Sequence, residues 1–166
     1  MSFLAPLLLG VLALAGELFL REALALDRWA PDLAVVLVLY LGTARGLAGA
    51  GLVALLGLLA DGFASGPAGF HMASYLLTFL GAVVLGHQVR FRGVVGHLLL
   101  GAAGGLVALF VSALLARLAF GAALQDRIAD LVVPRVAVVA LAVPWLFPIF
   151  DRVEALVGHR PDKDVL

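Results

Sequence analysis

The chain is apolar almost from end to end, and its charges recur at intervals of roughly one bilayer crossing. No water-soluble fold accommodates that pattern, because a soluble domain needs polar faces for water. Hydrophobic residues fill 64% of the 166 positions and mean hydropathy is +1.15. A helix rising 1.5 Å per residue needs about twenty mostly apolar residues to cross a core about 30 Å thick. The length therefore holds about six spans with short connections, and the expectation is an all-α, polytopic membrane protein. Residues 1–152 are expected to form the six-helix transmembrane domain and 153–166 a short cytoplasmic tail.

Composition removes several classes of function. Eleven basic and eleven acidic residues cancel, so no basic field argues for nucleic acid as a partner, and aromatics are not interleaved with cations as in single-strand binders. Cysteine is absent, which removes disulfides, thiolate zinc sites, iron–sulfur clusters and cysteine nucleophiles.

The first span is expected from Phe3 to about Leu20. Ala13-Leu14-Ala15 has the form of a signal-peptide cleavage site, but no Lys or Arg precedes it, so the segment reads as a span. Glu17 near its end reads as a solvated helix terminus. The stretch from Arg21 to Asp32, with Trp29, is expected to lie along the interface, and Pro31 suits the opening turn of the next helix, where a missing N–H costs nothing.

Between Asp32 and Asp61 the only charge is Arg45, between Gly42 and Gly46. Two spans, about 31–44 and 46–62, with Arg45 in a turn and in water, are favoured over one long helix that would place the charge in hydrocarbon at several kcal/mol. A fourth span is expected from Phe70 to about Val89, closed by Arg90-Phe91-Arg92-Gly93. A fifth runs from Val94 to about Phe120, a polar loop holds Gln125, Asp126, Arg127 and Asp130, and a sixth covers about Leu131 to Phe150, bent at Pro134, Pro144 and Pro148.

With the amino terminus inside, inner connections carry Arg45, Arg90, Arg92, Arg152, Arg160 and Lys163, and outer ones Arg21, Arg28, Arg127 and Arg135. Because positive charge is retained on the cytoplasmic side, this majority places both termini in the cytoplasm. Helices in lipid associate where small residues let backbones approach. Gly104, Ala108, Ser112 and Ala116 recur every four residues in the fifth span with Gly101 and Gly105 alongside, so that face is expected to pack tightly. Gly46, Ala50 and Ala54 offer the same in the third.

The most distinctive stretch runs from Gly57 to His71: Gly57-Leu58-Leu59-Ala60-Asp61, then Ser65-Gly66-Pro67-Ala68-Gly69. An acidic residue closes an apolar helix, and glycines with a proline permit a tight reversal. Asp61 can accept hydrogen bonds from the turn that follows. This run resembles the signature of the MreD family, the membrane subunit of the bacterial rod-shape machinery. Pro31-Asp32, Tyr40-Leu41-Gly42 with Arg45-Gly46, and the basic turn after the fourth span are similar to that family's layout, and the resemblance covers about residues 1–152.

The resemblance implies a non-enzymatic scaffold in the bacterial cytoplasmic membrane. It would work with the bitopic protein MreC and, through it, with the MreB filament, the wall transglycosylase and a penicillin-binding transpeptidase. It also implies a fold similar to the S components of energy-coupling-factor vitamin transporters. By motif it singles out Asp61, Ser65, Gly66, Pro67 and Gly69, with Pro31, Asp32, Arg45 and Gly46.

Two other classes compete. An S component would build a polar pocket near the outer surface, but such proteins carry Ala-x-x-x-Ala in the first span, and here Ala13 is followed by Glu17 and Ala15 by Phe19. An intramembrane serine protease is suggested by Ser65 with His71, His87 and His97. The glycine expected two positions before such a serine is Phe63, and no histidine lies in the sixth span. No histidine pairing at i, i+4 and no phosphate-binding loop is present, so no metal or other cofactor is expected.

Overall fold

The computed structural model describes residues 4–23, 32–63, 67–88, 93–120 and 125–156. They form α1 (Leu4–Ala23), α2 (Leu33–Arg45), a 3₁₀ turn (Gly46–Gly49), α3 (Ala50–Phe63), α4 (Phe70–Gln88), α5 (Gly93–Phe120) and α6 (Gln125–Leu156). Helix makes up 97% of the described residues, with no strand among them. Four segments are long and apolar enough to cross a membrane: Leu33–Phe63, Phe70–Gln88, Gly93–Leu118 and Val133–Leu156. Pro6–Glu17 in α1 is a shorter apolar stretch.

The bundle is organised around α2. Its sequence is apolar on every side, and nine consecutive residues, Ala34 to Gly42, are buried. A helix without a polar face is stable only when other helices surround it, and α1, α4, α5 and α6 all pack on this one. Gly104 of α5 sits against the Leu39 side chain, and Tyr40 meets Phe147 and Phe150 of α6 edge-on, each with ring centroids 5.3 Å apart. The perimeter is the reverse of a soluble protein's. Leu12, Phe110, Leu118 and Trp145 are 65–76% exposed, the outward apolar surface that lipid, not water, accommodates.

The run Leu33–Phe63 is continuous in hydropathy but reverses direction. Gly42 packs on Ala82 and Phe79 of α4 and Thr43 on Gly86, whereas Gly49 packs on Phe79 and Gly57 on Met72. Along α4, then, α2 runs parallel and α3 antiparallel. The reversal falls at Gly46, whose φ of 54° lies in the left-handed region that glycine adopts without a Cβ penalty. At thirteen and fourteen residues, α2 and α3 are each only about 20 Å long.

Several expectations are corrected. Arg45 at the reversal is not in water: its side chain is 11% exposed and paired with Glu154. Gln125, Asp126, Arg127 and Asp130 are not a loop but the first turns of α6, which accommodates Pro134, Pro144 and Pro148 without a break. Arg135 belongs to α6 instead of a connection, and α6 continues past residue 152 to Leu156, burying Glu154 inside the bundle. Polar helical turns beyond a hydrocarbon core have the composition of loops, which is why hydropathy truncated this helix at both ends. The α2 helix opens at Leu33 with Asp32 as its N-cap, accepting from the Val35 N–H at 3.1 Å. Pro31, Trp29 and the remainder of the expected interfacial segment, 24–31, lie outside the described residues, although Arg21 to Ala23 extend α1. Close approach runs instead through Gly49 of the 3₁₀ turn and Gly57 of α3; nothing lies within 4 Å of a Cβ placed on Gly46.

Candidate functional site

The corner between α3 and α4 is built by one carboxylate. Asp61, in the last turn of α3, accepts from the His71 N–H at 2.7 Å and the Met72 N–H at 3.3 Å, and its Oδ1 meets His71 Nδ1 at 3.0 Å. The first N–H groups of a helix have no partner within it, so Asp61 caps α4 from the preceding helix. Because a carboxylate only accepts, Nδ1 carries the proton in this contact. Gly57, one turn earlier, lets the two backbones touch: a Cβ there would overlap Met72. The connection closes with Pro67, whose carbonyl accepts from the Phe70 N–H at 3.2 Å, and with Gly69 at φ 87°. Ser65 and Gly66 lie outside the described residues.

At the opposite end of α2 is a second polar centre. Arg45 Nε donates to Glu154 Oε1 at 3.1 Å and its Nη2 lies 2.8 Å from the same oxygen, while the Tyr40 hydroxyl donates to Asp151 Oδ1 at 2.9 Å. Asp151 and Glu154, three residues apart, share one face of α6, and Tyr40 and Arg45 present the matching groups from α2. Glu154 is 1% exposed. A buried carboxylate is retained only when paired, so these contacts fix the register of α6 on the central helix. The spacing of Asp151 and Glu154 was the available signal for this site, but their partners are more than a hundred positions away in sequence.

The third feature is a cavity of about 340 Å³ at the end of the bundle where α2 and α4 begin. Glu17 of α1, Asp32, His71, Ser74 and Ser112, and Arg135 of α6 supply its polar wall. Val35, Phe70, Tyr75, Leu109 and Val139 supply the apolar one. Ser74 and Ser112 share a hydrogen bond of 3.0 Å across the α4–α5 contact. Glu17 is nine-tenths buried here, which corrects its reading as a solvated terminus. α1 presents Glu17 inward, where the cavity receives it.

The small residues of α5 divide between two tasks. Gly101 is pressed on the backbone of Ala140, Gly104 on Leu39, and Gly105 on Val136 and Val139. Further along, Gly105, Ala108, Ser112 and Ala116 line the cavity, with Ala108 and Ala116 buried. The helix thus presents small side chains both where backbones meet and where space is left open.

The three described histidines do not converge. His71 belongs to the Asp61 corner, His97 stacks edge-on with Phe147 at 5.5 Å, and His87 is exposed near the end of α4. Among the described residues no three His, Asp or Glu side chains gather as metal ligands. Of the residues singled out by sequence, the structure joins Asp61 with the Pro67–Gly69 turn and Gly105, Ala108, Ser112 and Ala116 with Asp32. Arg45 stands apart at the other end.

No family model matches the chain, and no curated protein or solved structure matches it at a significant level.

Proposed function

We propose that the chain is a non-enzymatic scaffold of the rod-shape machinery in the bacterial cytoplasmic membrane, binding MreC and, through it, MreB, the wall transglycosylase and a penicillin-binding transpeptidase. The observation that carries this reading is the Asp61 corner. In the stretch that resembles the MreD signature, the one carboxylate is occupied in holding α4 against α3, so the motif works as a structural joint and leaves the outer faces for partners. Arg45 and Tyr40 are likewise engaged with Glu154 and Asp151.

In this reading the chain crosses the bilayer six times, the reversal at Gly46 dividing Leu33–Phe63 into two short crossings and α1 supplying another, with both termini cytoplasmic. Such a scaffold acts thermodynamically: a partner that binds it better in one conformation is biased toward that conformation by the difference in affinity. Affinity isolation from gently solubilised membranes tests it. Recovery of MreC with wall synthases is the expected result. Recovery of an ATPase module with its transmembrane coupling subunit would replace this reading with that of a transporter S component, and loss of a membrane-protein cleavage activity on Ser65→Ala would replace it with a protease.

A further inference from the structure

The two parts of α6 are held by different helices. Its contacts with α5 advance antiparallel and in step, Gly105 on Val136, Gly101 on Ala140 and His97 on Phe147. α5 begins at Gly93, one turn before His97, so the final turns of α6 run on past it. Among the described residues, the side-chain hydrogen bonds, ion pair and ring contact of residues 149–156 all go to α2: Phe150 and Asp151 to Tyr40, and Glu154 to Arg45.

This change of partner coincides with the weakest part of the helix. Proline has no N–H to give, so Pro144 leaves the Ala140 carbonyl without its intrahelical donor and Pro148 does the same to the carbonyl of Pro144. The two gaps lie one turn apart on one side of α6, and helices bend at such places. Upstream the helix is clamped, since Gly101 brings α5 against the backbone of Ala140 itself. Downstream, the exposed face carries Asp151 and Arg152, so the outer side of this segment suits water and its movement does not draw charge through lipid.

The contact that holds the segment is incomplete. Arg45 reaches only Oε1 of Glu154, through Nε and Nη2, and Oε2 is buried without a hydrogen-bond partner. A buried carboxylate oxygen left bare raises the free energy of the docked arrangement, and water satisfies it once the segment lifts away. Burial of Phe150 and the Tyr40–Asp151 hydrogen bond oppose the release. Docked and lifted arrangements therefore differ by a few contacts at one end of the bundle, while the packing of α5 on α6 upstream of the prolines is common to both.

We infer that residues 149–156 form an arm, hinged at Pro144–Pro148 and latched on α2 by Tyr40 and Arg45, which swings off to open this end of the bundle and uncover the Arg45 guanidinium. The inference does not rest on the scaffold reading; within that reading it supplies two conformations between which a partner selects.

The test uses the full chain in lipid nanodiscs, with spin labels on Leu47→Cys beside the reversal and Leu156→Cys on the arm, both exposed positions, and the distance between them read by pulsed electron resonance. A second pair, Leu99→Cys and Leu141→Cys on α5 and the upstream part of α6, reports on the rest of the bundle. The short distance is expected to predominate in the parent. Arg45→Met strands Glu154 in the docked arm, and is expected to raise the ratio of long to short distance about a hundredfold or more, with the second pair unchanged. Arg45→Met with Glu154→Leu is expected to restore the short distance. Should Arg45→Met not fold, Tyr40→Phe decides: it keeps the ring and removes the hydroxyl, and is expected to raise the same ratio about fivefold, the worth of one hydrogen bond. Pro148→Ala returns a donor to the Pro144 carbonyl and is expected to reduce the long-distance population in either variant. No longer distance in either latch variant, a long distance that Pro148→Ala leaves unchanged, or equal broadening of the second pair would overturn the assignment.

Discussion

Arg45 and Glu154 meet at 2.8 Å across 109 positions of sequence, the arginine at the reversal between α2 and α3 and the glutamate in the last turn of α6. The pair joins the central helix to the final one at one end of the bundle, with the Tyr40–Asp151 hydrogen bond one turn further in.

Removing one partner of a buried pair leaves an uncompensated charge, at about 3–5 kcal/mol, whereas replacing both by apolar side chains is often neutral. Arg45→Met and Glu154→Leu are each expected to lower the unfolding temperature in detergent strongly, and the double variant to recover most of the loss. A double variant as unstable as the sum of the singles would show that the two side chains act independently.

The Asp61 corner separates a backbone cap from a side-chain pair. Asp61→Ala strands the His71 and Met72 N–H groups and is expected to cost about 1–2 kcal/mol, the worth of an N-cap. His71→Ala retains both backbone donors and is expected to cost less. Amide hydrogen exchange localises the effect, with faster exchange at the start of α4 in Asp61→Ala alone.

Glycines in this chain differ by what faces them. Gly57→Ala would drive a Cβ into the Met72 backbone, which has no flexible end to yield, and overpacking of that kind costs about 1–3 kcal/mol. Gly62, five residues on in the same helix, faces open space, so Gly62→Ala is expected to be neutral or to stabilise by about 0.5 kcal/mol through the unfolded chain. Thermal unfolding of the two variants side by side checks the contrast.

Topology is testable because the chain has no cysteine of its own. With both termini cytoplasmic, a single cysteine at position 92 is expected to resist an impermeant thiol reagent applied to intact cells and to react after the membrane is opened. Labelling from outside would invert the orientation and place the cavity at the cytoplasmic end.

How much was legible in advance follows from which interactions are local. The extents of α4 and α5 were readable because their apolar runs stop at charges and glycines, and Asp61 as an acceptor for the following turn was readable because donor and acceptor are ten residues apart. Gly101 and Gly104 could be recognised as packing residues, but not that one would face α6 and the other Leu39. Glu17, Arg135 and Glu154 were misplaced together, since each sits near the end of an apolar helix, where hydropathy assigns charge to the interface.

Sequence by itself determined that the chain is helical and lipid-facing, because hydropathy over twenty residues is a property of the segment alone. It also marked the reversals, where glycine supplies conformations that other residues resist. Tertiary structure alone decided which charges are buried and with whom. A carboxylate at a helix end is solvated or paired according to what another helix brings opposite it, and Arg45 for Glu154, like the α1 carboxylate turned into the cavity, depends on a register that forms only when the other helices assemble around α2.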